Sequence, residues 1–305
     1  MSANLLVELL TEELPPKALQ TLGNAFANGI VDGLRSRQLL EAGSAVTVYC
    51  TPRRLATLIS QVRSIAPDQP FSEKLMPVSV GLKDGQPTPA LLKKLAAKQL
   101  SHVDPAKLEK EHDGKTEQLV YRDIAKGVSL SGGLQSALDE ALIKLPIPKV
   151  MSYQLADGTT TVHFVRPAHG LIALHGKDIV PVDVLGLTAG RITQGHRFQG
   201  ARDIEIATAD AYEEALAARG KLIASFTQRR ADIYTQLQKH AAGLGATLGA
   251  AADYEPLLDE VTALVEMPTV YVGTFEAEFL AVPQECLVLT MRANQKYFQI
   301  GRAHV

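Results

Sequence analysis

The fold prediction starts from the stretch NLLVELLTEELPP, Asn4–Pro16. Its first seven residues, Asn4–Leu10, form an apolar run typical of a buried strand, and the two prolines then end that strand at the start of a helix. Large apolar residues recur at helical spacing through Lys17–Gln38, so this segment is predicted to be a helix. Three glycines lie within it and are interpreted as points of close packing against a sheet: Gly23, Gly29 and Gly33.

Two further strands are predicted after this helix. Ala45–Cys50 and Leu55–Ile65 are the strands, and Thr51–Arg54 forms the turn between them. Residues 1–66 are therefore predicted to form a strand-helix-strand-strand part of the main body, which is typical of an α+β protein. Turn signals predict two more hairpins, at Asp157-Gly158 and at Gly176-Lys177. We therefore expect an α+β fold with mixed, largely antiparallel sheets and packed helices.

The middle of the chain departs from this pattern. Five prolines between Ala66 and Pro89 indicate an excursion, so residues 67–144 are predicted to be a linker and a small inserted α+β subdomain. Two helices would start where a capping side chain precedes a proline, at Thr88-Pro89 and at Asp104-Pro105. A strand and a further helix are predicted after them: Gln118–Ala125 and Leu134–Leu145.

The last part, residues 145–305, is predicted to be the second α+β part of the main body. Besides the hairpins it contains four predicted helices and one predicted strand: Thr208–Gly220, Ser225–Ala242, Leu257–Glu266 and Pro283–Asn294, and the strand Thr269–Phe275. The final residues, Gly301–Val305, follow without a cap or a polar tail. We therefore expect a shortened chain whose last residues are not native.

Composition restricts the function classes. No window approaches the roughly 18 apolar residues of a membrane helix, and no signal peptide precedes the first strand, so a cytoplasmic protein is predicted. The two cysteines, Cys50 and Cys286, exclude a disulfide framework and a Cys-rich zinc site. The chain contains 31 Lys and Arg and 33 Asp and Glu, which gives a net charge of −2. Because the whole chain therefore does not attract nucleic acid, any contact with RNA must come from local basic patches.

The common catalytic motifs are absent from the sequence. It contains no phosphate-binding Walker loop, no Gly-x-Gly-x-x-Gly turn, no Gly-x-Ser-x-Gly elbow and no His-Glu-x-x-His motif. Lys149–Ser152 is only faintly similar to the Lys-Met-Ser-Lys-Ser loop of class I synthetases, and no His-Ile-Gly-His motif accompanies it. We therefore predict no catalytic residue, metal site or cofactor in this chain.

Basic residues in turns are the predicted contacts for tRNA or a protein partner. Pro52 would fix a turn from which two guanidinium groups leave together, a geometry suited to phosphate. In the loop around Arg191–Phe198, three glycines would let the backbone approach a partner closely: Gly190, Gly195 and Gly200. At the end of the last predicted helix, Arg292 and Lys296 would lie on one face. The candidate residues are Arg53, Arg54, Arg166, His169, Arg191, His196, Arg197, Arg292 and Lys296.

Each candidate also has a structural alternative. Exposed charges in turns are common, so Arg53 and Arg54 could simply be solvated. The even spacing of His163, His169 and His175 is compatible with a metal site, but no cysteine or acidic ligand joins them and the segment bends between them, so structural roles are preferred. Phe198 could stack on a base, but anchoring of its loop in the core is the preferred interpretation.

Eight segments together resemble the beta subunit of the heterotetrameric bacterial glycyl-tRNA synthetase. They occur in the order of that family over almost the whole chain: Leu10–Leu19, Thr51–Ala56, Leu145–Lys149, Phe164–Pro167, Gly195–Phe198, Leu264–Glu266, Phe279–Pro283 and Gln295–Phe298. The sequence departs from the family pattern at Met151–Tyr153, where Met-Arg-Trp is usual, and at Gln299, where proline is usual. The first departure removes one basic contact at Ser152.

The resemblance implies an alpha2beta2 assembly that joins glycine to its tRNA with ATP. ATP and magnesium would bind to the alpha subunit, and this chain would bind no cofactor. The family's HD-like and anticodon-binding regions would lie beyond Val305. The resemblance also implies a body similar to the B3/4 module of the phenylalanyl-tRNA synthetase beta subunit.

The functional hypothesis is therefore a non-catalytic part that binds tRNA and supports assembly with the alpha subunit. Two alternatives remain open at this point. One is an editing hydrolase for mischarged tRNA, acting in a B3/4-like cleft with His169 or His196 as its base. The other is a scaffold for the alpha subunit that makes no contact with RNA.

Overall fold

A computed structural model describes residues 2–302 of the chain. They form two compact units: a core unit, built from the residues up to Ser64 and from Ser129 onward, and an inserted unit, Ile65–Val128. The predicted α+β class with largely antiparallel sheets is confirmed. Of the residues predicted not to be native, Ala303–Val305 lie outside the described part.

The bounds of the elements follow in chain order. The strands are β1 (Ser2–Thr11), β2 (Val46–Thr51), β3 (Arg54–Arg63), β4 (Gln69–Pro77), β5 (Leu82–Lys83), β6 (Gln86–Pro87), β7 (Glu109–His112), β8 (Glu117–Ala125), β9 (Met151–Gln154), β10 (Thr161–Phe164), β11 (Ala168–His175), β12 (Asp178–Ile179), β13 (Asp183–Val184), β14 (Leu187–Thr188), β15 (Ile192–Thr193), β16 (Ile204–Glu205), β17 (Ala246–Thr247) and β18 (Gly301–Arg302). The α-helices are α1 (Leu19–Ser36), α2 (Val78–Gly81), α3 (Pro89–Ala97), α4 (Leu130–Ile143), α5 (Tyr212–Ala218), α6 (Phe226–Gly243), α7 (Ala251–Thr262) and α8 (Gln284–Ala293).

The predicted first strand is the centre of the core unit. A five-stranded sheet has the order β12-β11-β1-β3-β2, and each strand pairs antiparallel with its neighbours. In the register, Val7 of β1 lies opposite Ala173 on one side and Thr57 on the other. Residues Leu5–Leu10 are buried, which explains why β1 is apolar at successive positions rather than at alternate ones.

Helices α1 and α4 pack against each other beside this sheet. A Cβ atom added at Gly29 or Gly33 would lie 2.7 or 2.5 Å from the Cβ of an alanine on α4, so only glycine fits there. The prediction that these two glycines pack against the sheet is therefore wrong, because both pack against helix α4. The prediction holds for Gly23, where an added Cβ would lie 2.9 Å from Cys50 Cβ on β2.

The boundaries of the inserted unit differ from the predicted range of residues 67–144. Helix α4 belongs to the core unit, because its buried side chains and its contacts with α1 lie there. Ser64 and Ser129 thus flank the insertion. The chain re-enters the core unit beside the point where it left, since Leu130 N donates to Ser64 O at 2.8 Å.

The inserted unit is a three-stranded antiparallel sheet, β4-β8-β7, with α3 packed on it. The proline-rich segment contains the unpredicted strand β4, which tolerates prolines because it lies at the sheet edge. Thr88 caps α3, as predicted, by accepting from Leu91 N at 3.3 Å. The helix predicted at Asp104-Pro105 is only a 3-10 turn, Pro105–Lys107.

The C-terminal part of the core unit contains α6 and α7, whose facing side chains form a small separate core. The strand predicted at Thr269–Phe275 is absent: this segment has no regular secondary structure and Tyr271 is 84% exposed. Helix α8 buries none of its described side chains. Within residues 2–302, no helix has both the length and the apolar character needed to cross a bilayer.

Candidate nucleic-acid interface

One end of the central sheet is built on a buried ionic network. Arg54, at the start of β3, is fully buried; its Nη1 donates to Glu8 Oε2 of β1 at 3.2 Å and its Nη2 to Gln194 O at 2.8 Å. The Tyr212 hydroxyl donates to the same Glu8 oxygen. Burial acts to lower the pKa of Arg54, but the nearby Glu8 carboxylate, together with other neighbours, raises it above its ordinary value. Arg54 therefore remains charged and structural, and its predicted role as an exposed phosphate ligand is wrong.

A second buried arginine extends this network. Arg229 of α6 donates from Nη2 to Cys50 O and from Nη1 to Ile223 O, each at 2.8 Å. Burial lowers its pKa to about 10. Thr51 extends the network around Arg54 to Glu266, since its hydroxyl accepts from Arg54 Nε at 3.2 Å and donates to Glu266 Oε1 at 2.6 Å. This network was not predicted from the sequence, where the charged Glu8 within an apolar strand is its one visible signal.

Arg53 is also buried, with 8% of its surface exposed. The segment after β1 covers its turn, because Thr11 N donates to Arg53 O at 2.8 Å and Leu14 N donates to Pro52 O at 2.6 Å. Its Nε has no hydrogen-bond partner among the residues described. The prediction that both guanidinium groups leave the turn together is therefore wrong.

Three other candidate residues meet at the end of β1, where we define the Glu12 cluster as Glu12, Arg166, His169 and Arg197. Arg197 Nη2 donates to Glu12 Oε2 at 2.8 Å, and His169 Nε2 lies 3.0 Å from Glu12 Oε1. Arg166 Nε donates to the adjacent carbonyl, Glu13 O, at 2.9 Å. Partial burial acts to raise the pKa of Glu12, but the hydrogen bonds from Arg197 and His169 outweigh it and lower that pKa. His169 and Arg197 are exposed, and Glu12 and Arg166 are half-buried.

The glycine-rich loop beside this cluster, Gly195–Gly200, is fixed by its own backbone. His196 N donates to Gly220 O at 2.7 Å, and Gly195 N donates to Ala201 O at 2.8 Å. A Cβ at Gly195 would lie 2.7 Å from Gly220 Cα. The glycines therefore let the loop approach another segment of this chain, whereas the prediction assigned them to the approach of a partner.

Phe198, in the middle of that loop, projects into solvent. Its side chain is 87% exposed, so the preferred interpretation as a core anchor is wrong. Its backbone N donates to His196 Nδ1 at 3.3 Å, and the two rings lie 6.1 Å apart. The loop therefore presents an exposed aromatic ring next to Arg197 in the sequence and near the ring of His196.

The remaining candidates lie elsewhere. Arg191 points toward the other end of β11, where its Nη2 donates to Lys177 O at 2.8 Å. Lys296 pairs with Glu260 at 3.0 Å, and it shares no helix face with Arg292 because α8 ends at Ala293.

The evenly spaced histidines have three separate sets of partners. His163 lies 2.9 Å from Ser152 Oγ and His175 lies 2.7 Å from Val62 O, while His169 belongs to the Glu12 cluster. In the described part of the chain, no three His, Cys, Asp or Glu side chains are grouped as metal ligands.

The chain is similar to known proteins over almost its whole length. The family model described as glycyl-tRNA synthetase beta subunit matches residues 5–304. The glycine–tRNA ligase beta subunit of Acidovorax ebreus (strain TPSY) is 57% identical over 300 residues, which cover 97% of this chain and 42% of the relative. That of Dechloromonas aromatica (strain RCB) is 55% identical over 308 residues, covering 98% and 43%. The chain thus spans less than half the length of these curated relatives.

Proposed function

Since the chain belongs to the glycyl-tRNA synthetase beta subunit family, we propose that it is a non-catalytic part that binds tRNA and supports a separate alpha subunit. That subunit would hold ATP and magnesium and attach glycine to its tRNA in an alpha2beta2 assembly in the cytoplasm. The role of this chain would be to position the RNA.

The observation that supports this proposal is the grouping of two arginines and a histidine at one end of the central sheet, where solvent reaches them. Arg166, His169 and Arg197 come from separate positions in the sequence, and the fold brings them to the residues that follow β1. Guanidinium groups bind phosphate through two parallel hydrogen bonds. Because the whole chain has a net charge of −2, its affinity for RNA would depend on this local surplus.

The ion pair of Arg197 with Glu12 does not prevent phosphate binding. Both side chains are well exposed, 45% and 39%. Exposed ion pairs contribute only about 0–1 kcal/mol, so a phosphate oxygen can replace the carboxylate at little cost. Glu12 would thus hold Arg197 in position until RNA binds.

The test uses the full-length alpha2beta2 enzyme with Arg166→Gln and Arg197→Gln combined. We expect weaker tRNA binding and a smaller salt dependence, since each lost phosphate contact reduces the magnitude of the negative slope of log K against log salt by about 0.7–0.9. Arg191→Gln combined with Arg35→Gln is the matched control, because it removes two positive charges from side chains outside the cluster. A double variant with the affinity and salt slope of the wild type would contradict the proposal.

The hydrolase alternative receives no support from the two candidate bases. His169 lies against the Glu12 carboxylate, and His196 accepts from the backbone N of Phe198. The hydrogen bonds among the described residues join neither ring to a hydroxyl or thiol that could act as a nucleophile.

A further inference from the structure

We propose that the loop Gly195–Gly200 is a receptor for one unpaired nucleotide of the RNA, with its base stacked on Phe198 and an adjoining phosphate bound by Arg197. This inference rests on the proposed tRNA-binding function and extends it to the class of nucleotide that the site accepts.

The ring of Phe198 is available for stacking. Its exposed fraction of 87% is the highest among the large apolar side chains that the structure describes. Its neighbour His196 lies at a ring distance of 6.1 Å and leaves it exposed. Single-strand-binding proteins use aromatic rings in this way, because every base offers a flat face.

The conformation of the loop that carries the ring is already fixed before a ligand binds. Four backbone hydrogen bonds fix its ends: Gly195 N to Ala201 O, His196 N to Gly220 O, Gly200 N to His196 O and Ala201 N to Arg219 O, all between 2.7 and 3.0 Å. A further bond from Phe198 N to His196 Nδ1 fixes the tip. A pre-formed loop avoids most of the entropy cost that binding would otherwise impose.

The charges around the ring favour RNA over a protein partner. The loop Gly195–Gly200 carries Arg197 and no acidic residue, and Arg166 adds a second positive charge to the Glu12 cluster, which holds the single carboxylate of Glu12. Arg197 follows His196 directly and lies within reach of the Glu12 carboxylate, at the surface. Aromatic and arginine residues also occur at protein interfaces, but this surplus of positive charge matches a phosphate backbone.

The geometry also favours an unpaired nucleotide over a duplex. Bases inside an A-form helix are already stacked on one another, and side chains cannot reach them through the deep, narrow major groove. A single projecting ring finds a free base face only in a loop, a bulge or a single-stranded end. One ring accommodates one base, which agrees with the low aromatic content of the chain, 5%.

The experiment compares Phe198→Leu with Phe198→Tyr in the full-length alpha2beta2 enzyme. Leucine keeps an apolar side chain without a flat ring, so tRNA affinity should fall roughly 5- to 150-fold, the effect of losing one base stack. The salt slope should stay unchanged, because no phosphate contact is lost. Tyrosine should keep the affinity within about twofold. Because Phe198 is exposed, both variants should melt at the wild-type temperature.

Competition by defined RNAs tests the class of ligand. Single-stranded hexa-adenylate should compete with tRNA in the wild type and much less in Phe198→Leu, whereas a blunt duplex with as many phosphates should compete equally with both. A duplex whose competition depends equally on Phe198 would overturn the assignment to an unpaired nucleotide.

Three further outcomes distinguish failure of this inference from failure of the function on which it rests. Unchanged tRNA affinity in Phe198→Leu, with weakened affinity in the arginine double variant, would refute the stacking and leave the tRNA-binding function intact. Unchanged affinity in all of these variants would refute both. Weakened assembly with the alpha subunit at unchanged tRNA affinity would identify the loop as a protein contact and overturn the inference.

Discussion

Arg54 and its partners join the ends of β1 and β3 in a region without solvent. Glu8, Thr51 and Gln194 all bond to its side chain, so that each hydrogen-bonding nitrogen of the guanidinium group has a partner. A buried charge is tolerated only when it is paired and hydrogen-bonded. The network therefore fixes the position of the turn that precedes Arg54, together with the neighbouring Gln194 backbone.

Replacing Arg54 by methionine should destabilise the protein by about 3–5 kcal/mol, because Glu8 is left as an unpaired buried charge. Urea unfolding followed by circular dichroism measures this difference. Adding Glu8→Gln to Arg54→Met should recover part of the loss. Arg35→Met is the control, since Arg35 is 64% exposed and its ion pair with Asp32 contributes about 0.5 kcal/mol or less. A loss for Arg54→Met as small as that of the control would contradict this account.

The two cysteines should differ in reactivity. Burial raises the pKa of the Cys50 thiol to about 11, so almost no thiolate is present at pH 8, whereas Cys286 is exposed. An aromatic disulfide reagent should therefore modify Cys286 quickly and Cys50 only after denaturant is added. Cys286→Ser should abolish the fast phase. A fast phase that persists in this variant would show that Cys50 is accessible.

At the scale of elements, the contact between α1 and α4 depends on glycines. Gly33 allows α1 to approach Ala137 so closely that an added Cβ would lie 2.8 Å from Ala137 Cα, a backbone atom. Side-chain rotation cannot relieve such a clash. The helices would have to separate, and the apolar side chains between them would lose contact.

Gly33→Ala should consequently destabilise the protein by about 1–3 kcal/mol, despite the higher helix propensity of alanine. Thermal unfolding monitored at 222 nm gives the result. Gly243→Ala is the matched control: Gly243 also lies in a helix, α6, but an added Cβ would meet nothing within 4 Å. That variant should be as stable as the wild type or slightly more stable. Equal effects of the two substitutions would contradict the close-packing account.

At the scale of the whole molecule, the inserted unit interrupts the core unit in the sequence, but the two segments of the core unit form one compact structure. The backbone bond from Leu130 N to Ser64 O joins the residues on both sides of the interruption. A short linker can therefore close the chain, because the entropy cost of a loop between adjacent ends is small.

Replacing Ile65–Val128 by a short Gly/Ser linker should leave the core unit folded, with a cooperative thermal transition. The contrasting variant removes residues 67–144, the range predicted from the sequence, and with it α4. It should lose that transition, because the apolar face of α1 against which α4 packs is then exposed. Near-ultraviolet circular dichroism and calorimetry distinguish the two results. Unfolding of the first variant would show that the core unit needs the insertion.

Local features of the sequence determined most of the elements. The apolar run of β1, the helical spacing of α1 and the turn at Asp157-Gly158 depend on neighbouring residues, so each predicted element appears with nearly the predicted bounds. Thr88 capping of α3 is equally local. The family resemblance also came from short segments, and the family comparison confirmed it.

Tertiary structure alone decided which cations are buried and which aromatic ring is free. Arg54 lies in a basic turn that looks exposed, yet Leu14 crosses this turn and Glu8 comes from another strand. Phe198 looks like a core residue, yet the close contact of its loop with Gly220 turns it outward. Spacing along the chain cannot predict these outcomes, because burial depends on which distant segments pack over a residue.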